Sequence, residues 1–568
     1  MKFFSIIIVL AIVTSCSKEV NDLSNIPQSS DLEGLINHTN EFNKEIYTYK
    51  TPGGLIHIAV GFGIANSIMI EGKDGNIVVD ATDSVSEAEM VHSLFKKKNS
   101  NPIKAIIYTH NHGDHTFGAE YFIKSQEDKP IVIAHESTDY YVQRIMGIIN
   151  PIISKRSTRM FGTLLPDDQF INAGIGPSLN VSDSPIGYIE PDTVFKDELK
   201  LKIAGINLEL YHAPGETNDQ IFVWLPDHKA LMPGDNIYNT FPNLYTIRGT
   251  THRNVIGWVK SLDHMRSFNP EYLFPSHTKP LSGEDVMSSL TIYRDAIQYV
   301  HDQTIRLMNE GYYPDEIVEL IELPDELSSS TFLKEFYGTL RWSVKSIFSG
   351  YLGWFNGNPA DLDPLSRKEK AIRISNLAGG DENLFNELKR AVKEEDMQWA
   401  LQLSEHLINL EYKISETNKL KSKALFYEGI RSSNPNKRNY FLTVAMELDP
   451  SFKGFPEIVR SESLVNEINI DTIFSMLSVS LDPDNIFRDN YKACFKFENE
   501  KVRSITVRNS IAEISEDQNN CDLIIRTSEK SLKLSLAGIE NPIGLIASGE
   551  IKVEGSEVNF LRFLSSFK

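Results

Sequence analysis

Residues 109–115 read Thr-His-Asn-His-Gly-Asp-His, and few folds accommodate such a heptad. It follows a largely apolar run, Ile103–Tyr108, that reads as a buried strand. A strand that stops in a tight loop can aim His110, His112, Asp114 and His115 at one point. Neutral imidazoles with a carboxylate are the donor set of zinc and similar borderline ions. Three of the chain's fourteen histidines fall within residues 110–115, against the plain alternative of a histidine-rich polar loop.

Four further elements extend the pattern over about 200 residues. Asp80 closes the strand-like stretch Gly75-Asn76-Ile77-Val78-Val79-Asp80. Tyr211-His212-Ala213-Pro214-Gly215-Glu216-Thr217 holds a Pro-Gly turn followed by an acid. Ala230-Leu231-Met232-Pro233-Gly234-Asp235 is a strand followed by an acid, and Pro275-Ser276-His277 supplies one more imidazole. In this order the elements resemble the HxHxDH pattern of the metallo-β-lactamase superfamily, in which the early aspartate is structural.

Glu216 stands where most members of that superfamily carry a histidine, which resembles the alkylsulfatase branch. Asn243-Leu244-Tyr245-Thr246-Ile247-Arg248-Gly249 is similar to that branch's sulfate-pocket segment. Tyr337-Gly338-Thr339, the stretch Tyr351–Pro359 and Arg438-Asn439-Tyr440-Phe441-Leu442-Thr443 resemble its helical dimerisation domain. One departure is Asp235, where the branch usually has a glutamate. The shorter arm is expected to bear on metal spacing and substrate preference.

The resemblance implies a division of labour. One divalent ion takes His110, His112 and Glu216; the other takes Asp114, His115 and His277; Asp235 bridges them with a water. The resemblance then implies that Asp114 and Asp235 are the catalytic carboxylates. Zinc heads the candidates, and iron or manganese fit the same mixed donors. Carboxylates at Asp114, Glu216 and Asp235 partly neutralise two dications and soften their Lewis acidity. Arg248 can grip two sulfate oxygens in a forked geometry that lysine cannot reproduce. Asn243 offers an amide donor to a third oxygen, with a turn-forming role as its alternative. Arg253 and His252 lie close by in sequence and are further candidates for substrate binding. His135 and His212 read as structural. The implied activity is hydrolysis of linear primary alkyl sulfate esters. The metal elements alone equally fit a phosphodiester, lactone or β-lactam. A non-catalytic lipid-binding lipoprotein is a reading of another class, though a full ligand set argues against it.

At 568 residues the chain is long enough for several cores, and 41% hydrophobic with 24% charged residues is ordinary for globular proteins. A formal charge of −20 argues against a nucleic-acid partner. It does not exclude an anionic substrate, because bound cations and one arginine can reverse the field locally. Residues 1–16 read as an export signal: Lys2, an apolar run too short to span a bilayer, then Val13-Thr14-Ser15-Cys16. This resembles a lipobox, with Cys16 lipidated; a simple secretory signal is the alternative. A polar tether is expected over 17–45, so the protein is expected to be exported and held at a membrane by acyl chains.

The remainder divides into an αββα sandwich over 46–285, a helical dimerisation domain over 286–450 that implies a homodimer, and a small α+β domain over 451–568. Strands are expected at Ser67–Glu71, Ile77–Asp80, Ala105–Tyr108, Ile131–Ala134, Leu208–His212 and Ile221–Leu225, and a helix across Glu395–Leu410. The last domain resembles a sterol-carrier-like module, which is either a cleft for an alkyl tail or a packing module. Strands are expected there at Ala493–Phe497, Ser504–Val507, Leu523–Arg526 and Leu532–Leu534, closing in a turn and strand over 541–550. Cys494 and Cys521 lie in strand-like runs and form either a disulfide or two buried thiols.

Overall fold

The structure, a computed structural model, describes residues 32–179, 186–456 and 462–567. The expected export segment and Cys16 lie outside the described residues. Among the described residues no helix is long and apolar enough to cross a membrane.

Two sheets form the sandwich. The first has seven strands, each paired with the next in the chain, from Glu45–Thr51 to Thr193–Phe195. Its first four are antiparallel, and Asn76–Val79, Ile103–Ile107, Ile131–His135 and Thr193–Phe195 run parallel. The second sheet has six strands from Glu198–Ile203 to Leu281–Ser282, also in chain order. Strand periodicity explains the layering. Ile56, Ile58, Ile77, Val79 and Ile107 face inward and meet Leu208, Leu210, Ile221 and Val223 of the other sheet. The alternate residues, Val78, Ile106 and Val132, face outward against Val91 and Phe95 of the helix Val85–Lys98. Central strands buried on both faces therefore read as unbroken apolar runs. They end at one edge of the sandwich, where the polar loops begin.

The strands expected at Ser67–Glu71 and Ile221–Leu225 have those limits, and the other four are shifted by one or two residues. Within the expected tether, Leu32–His38 forms a helix with Leu32 and Leu35 buried, and Thr39–Phe42 forms a 3-10 turn.

The helical region falls into two compact units. The helices Glu284–Asn309, Pro314–Leu320 and Leu340–Leu352 belong with the sandwich, the first packing on Val255–Ser267. The helices from Arg367–Leu377 to Pro435–Glu447 form a second unit with residues 32–38 and 159–171. In that unit the expected helix spans Met397–Asn409, N-capped by Asp396. It buries Met397, Ala400, Leu403 and Leu407, leaving Leu401 and Ile408 at the margin of its inner face.

The C-terminal domain is a five-stranded sheet with helices, and its core is continuous with the helical layer of the sandwich. Gln143 ties the two together, donating to the Glu467 carbonyl at 2.9 Å and accepting from the Asn469 amide at 3.0 Å. Phe474, Phe495 and Phe560 are spent in that shared core. Leu532–Leu534 is not a strand but part of the helix Glu529–Leu536, because Ser528 caps its start by accepting from the Ser531 amide. The expected closing turn and strand is likewise the helix Pro542–Ser548, started by Asn541 with proline in its first turn and ended at Gly549 in the left-handed region. Cys494 and Cys521 are disulfide-bonded with Cα atoms 5.9 Å apart, and Cys521 lies in the turn before its strand rather than in it. Closing a loop with a sequence separation of 27 restricts the unfolded chain by about 3.5 kcal/mol.

Candidate metal centre

Each donor is placed by a strand end. Asp80 follows Asn76–Val79 with φ of 60°, a left-handed turn that aspartate tolerates better than most residues. Its carboxylate is wholly buried and organises the next loop. It accepts from the Thr109 amide at 2.9 Å, the Thr109 hydroxyl at 3.0 Å and the Ser276 hydroxyl at 2.7 Å. Its Oδ2 also lies 2.8 Å from Nδ1 of His115. Thr109 thereby starts the heptad in a fixed direction, and His115 turns Nε2 toward the other donors. His277 is set the same way, Nδ1 donating to the Ile64 carbonyl at 2.9 Å. Orienting a histidine through its far nitrogen is the usual support for a ligand. Gly215, in the Pro-Gly turn, admits no side chain: a Cβ there would lie 2.0 Å from Oδ1 of Asn236.

The seven donors converge. Asp114, His115 and His277 form one group, His110, His115 and Asp235 another, and His112, Glu216 and Asp235 a third, each with its ligand atoms within 4.8 Å of one another. Asp235 is common to two groups. Its oxygens lie 3.2 Å from Nε2 of His277, 3.5 Å from that of His110 and 3.4 Å from that of His115. His112 turns Nδ1 to within 2.8 Å of Nε2 of His110, so both nitrogens point to the same small volume.

Burial sets the protonation states. It pushes the imidazole of His110 down to about 3, and that of His112 well below the usual range with help from His110, Arg248 and Arg253. Both are neutral at neutral pH, the form in which an imidazole can bind a cation. Burial alone would raise the acids, yet His115 and His277 hold Asp114 down to about 2. His277, His115 and His110 hold Asp235 well below its ordinary value. Those acids in turn outweigh burial at His115 and His277 and raise both imidazoles. Burial raises the carboxyl of Glu216, opposed by Arg253. The centre therefore gathers carboxylates whose charge calls for cations. Nε2 of His115 and Oδ1 of Asp235 are buried without a hydrogen-bond partner. An N/O donor set with such orphaned atoms fits divalent ions.

Arg248 sits half-buried at the rim, Nη2 at 3.0 Å from Nε2 of His112. Its segment is pinned by Arg156, which donates to the Ile247 carbonyl at 3.1 and 2.6 Å. Asn243 is fully buried beside Glu216, its amide nitrogen 3.5 Å from Oε1 and its Oδ1 unpartnered. Arg253 lies deeper. Only 2% exposed, it pairs with Oε1 of Glu216 at 3.0 Å and donates to the Asn243 carbonyl. His252 packs its ring over Gly350. His135 and His212 stack at 4.1 Å beyond these donors, Nε2 of His212 donating to the Asn218 carbonyl at 2.7 Å. Tyr238, which donates to Oε2 of Glu216 at 2.9 Å, carries no sequence motif that would have singled it out.

Comparison with known proteins bears on the same segments. Residues 60–277 match the metallo-beta-lactamase superfamily, 313–451 the alkyl sulfatase dimerisation family and 459–568 the alkyl sulfatase C-terminal family. A linear primary-alkylsulfatase of Pseudomonas sp. is 32% identical over 518 residues, covering 88% of this chain and 98% of that one. An (R)-specific secondary-alkylsulfatase, also from Pseudomonas sp., is 25% identical, covering 87% of this chain and 77% of that one. The solved structure of a stereoselective inverting sec-alkylsulfatase from Pseudomonas sp. superposes with a TM-score of 0.86. At 24% identity, covering 96% of this chain and 88% of that one, it shares the fold.

Proposed function

The chain belongs to the alkylsulfatase family within the metallo-beta-lactamase superfamily, and on that premise we propose that it hydrolyses linear primary alkyl sulfates to an alcohol and inorganic sulfate. The observation that carries the reading is one arginine, Arg248, poised at the rim of a cluster of seven buried or half-buried metal donors. His110, His112 and Glu216 would hold one divalent ion and Asp114, His115 and His277 the other, with Asp235 shared, and zinc fits these donors. When bound, such ions would lower the pKa of water at the site and supply hydroxide near neutral pH.

The protein's own groups do the rest. A sulfate monoester carries one negative charge, which a guanidinium meets with two parallel N–H donors. A His112 that gives up Nδ1 carries its proton on Nε2. That nitrogen then no longer accepts from Arg248, and the guanidinium is free to turn to a sulfate. Asn243 adds an amide donor at the buried side. Asp235, ionised and shared between groups, fixes the donors relative to one another. Beyond the site, the helical region over 313–451 mediates a homodimer. The Cys494–Cys521 disulfide supports export to an oxidising compartment, with Cys16 as the lipid anchor.

The reading predicts that dialysis against a chelator abolishes sulfate release from dodecyl sulfate and that added zinc restores it. Metal-independent release would overturn the mechanism.

A further inference from the structure

Glu216 is held from several sides, and the groups that hold it also hold Asn243. The Tyr238 hydroxyl donates to Oε2 of Glu216 at 2.9 Å and accepts from the Asn243 amide at 3.1 Å. Nη1 of Arg253 lies 3.0 Å from Oε1 of Glu216 and donates to the Asn243 carbonyl. The Asn243 side-chain nitrogen closes the ring at 3.5 Å from Oε1. All four residues are buried. The Nε and Nη2 atoms of Arg253 have no partner, so its ion pair with Glu216 is what compensates the buried guanidinium.

We propose that Arg253 and Tyr238 are positioning residues that fix Glu216 as a metal ligand and couple it to Asn243 in the sulfate subsite. The inference rests on the proposed reading of Glu216 and Asn243. It assigns Arg253 a role away from the substrate and accounts for a glutamate at this position. A carboxylate has lone pairs enough to accept from Arg253 and Tyr238 and still serve an ion, whereas a ligating imidazole has no acceptor left. Because a single nitrogen of Arg253 makes both contacts, a lysine ammonium can replace it.

The test measures zinc affinity by competition with a chromophoric chelator and zinc per chain by elemental analysis, alongside kcat and KM. Arg253→Met is expected to weaken the looser zinc by about tenfold or more, as loss of a ligand's support does. Tyr238→Phe is expected to weaken it by about fivefold, the effect of one hydrogen bond. Arg253→Lys is expected to restore affinity to within about threefold of wild type, since it keeps the charge at the contact point. Should Arg253→Met fail to fold, the lysine and phenylalanine variants decide. Wild-type zinc binding in Arg253→Met with a raised KM would place Arg253 on the substrate and overturn the proposal. Wild-type zinc affinity in Tyr238→Phe, or tenfold loss in Arg253→Lys, would overturn it as well. Zinc titration needs no substrate, so the result stands apart from whether the wild type cleaves alkyl sulfates.

Discussion

Sulfate release from dodecyl sulfate will fall by about 10³-fold in an Asp235→Ala enzyme, while Asp235→Glu will keep both metal ions and most of the activity. Asp235 is 1% exposed and reaches three imidazoles from its two oxygens at 3.2 to 3.5 Å. It shares with His115 the place between two donor groups, and it is the carboxylate that does so. Alanine removes the carboxylate that His110, His115 and His277 share, leaving their Nε2 atoms without the acid common to all three. Glutamate keeps the charge and lengthens the arm, so its expected effect is on alkyl-chain preference rather than on metal content. Zinc per chain and a chain-length series of alkyl sulfates check both halves. Full activity in Asp235→Ala would remove this residue from the centre.

Arg248→Met should lower kcat/KM by about 10²–10³-fold with zinc content unchanged, because it deletes a donor to the charge on the sulfate and no metal ligand. Arg248→Lys should recover only part of the loss, since one ammonium cannot make two parallel contacts. The segment is rigid enough for the comparison to be clean: Arg156 holds the Ile247 carbonyl, and the Gly249 amide donates to Thr246 at 3.0 Å. Equal kcat/KM in all three enzymes would show that the arginine does not meet the substrate.

The convergence of candidate metal donors was legible because such chemistry fixes residue types at short spacings. His110, His112, Asp114 and His115 need one loop, and Glu216, Asp235 and His277 each follow a strand end. Ser67–Glu71 and Ile221–Leu225 were legible because each is a short apolar run with sharp polar borders. The first hairpin was not. Glu45–Thr51 mixes Tyr, Thr and Lys on a half-exposed strand, and only its pairing with Gly54–Val60 makes it part of the sheet. The alternation at Leu532–Leu534 misled because a capping serine outweighs a three-residue pattern. No composition break marks the point where helices leave the sandwich. Glu284–Asn309 packs on Val255–Ser267 through apolar residues like those of any bundle. The disulfide depends on the parallel pairing of Tyr491–Phe497 with Leu523–Thr527, a contact remote in sequence. The carboxylate clamp around Glu216 was hidden for the same reason: Tyr238, Asn243 and Arg253 meet it only through the folded loop.

The most direct measurement is sulfate release from dodecyl sulfate by zinc-replete protein lacking residues 1–16, with His112→Ala as the control. The account predicts release by the wild type and its loss in the variant, since His112 is a proposed ligand and lies against Arg248. No release from a wild-type protein carrying two zinc ions would contradict the sulfate assignment, and undiminished release by His112→Ala would contradict the metal-based one.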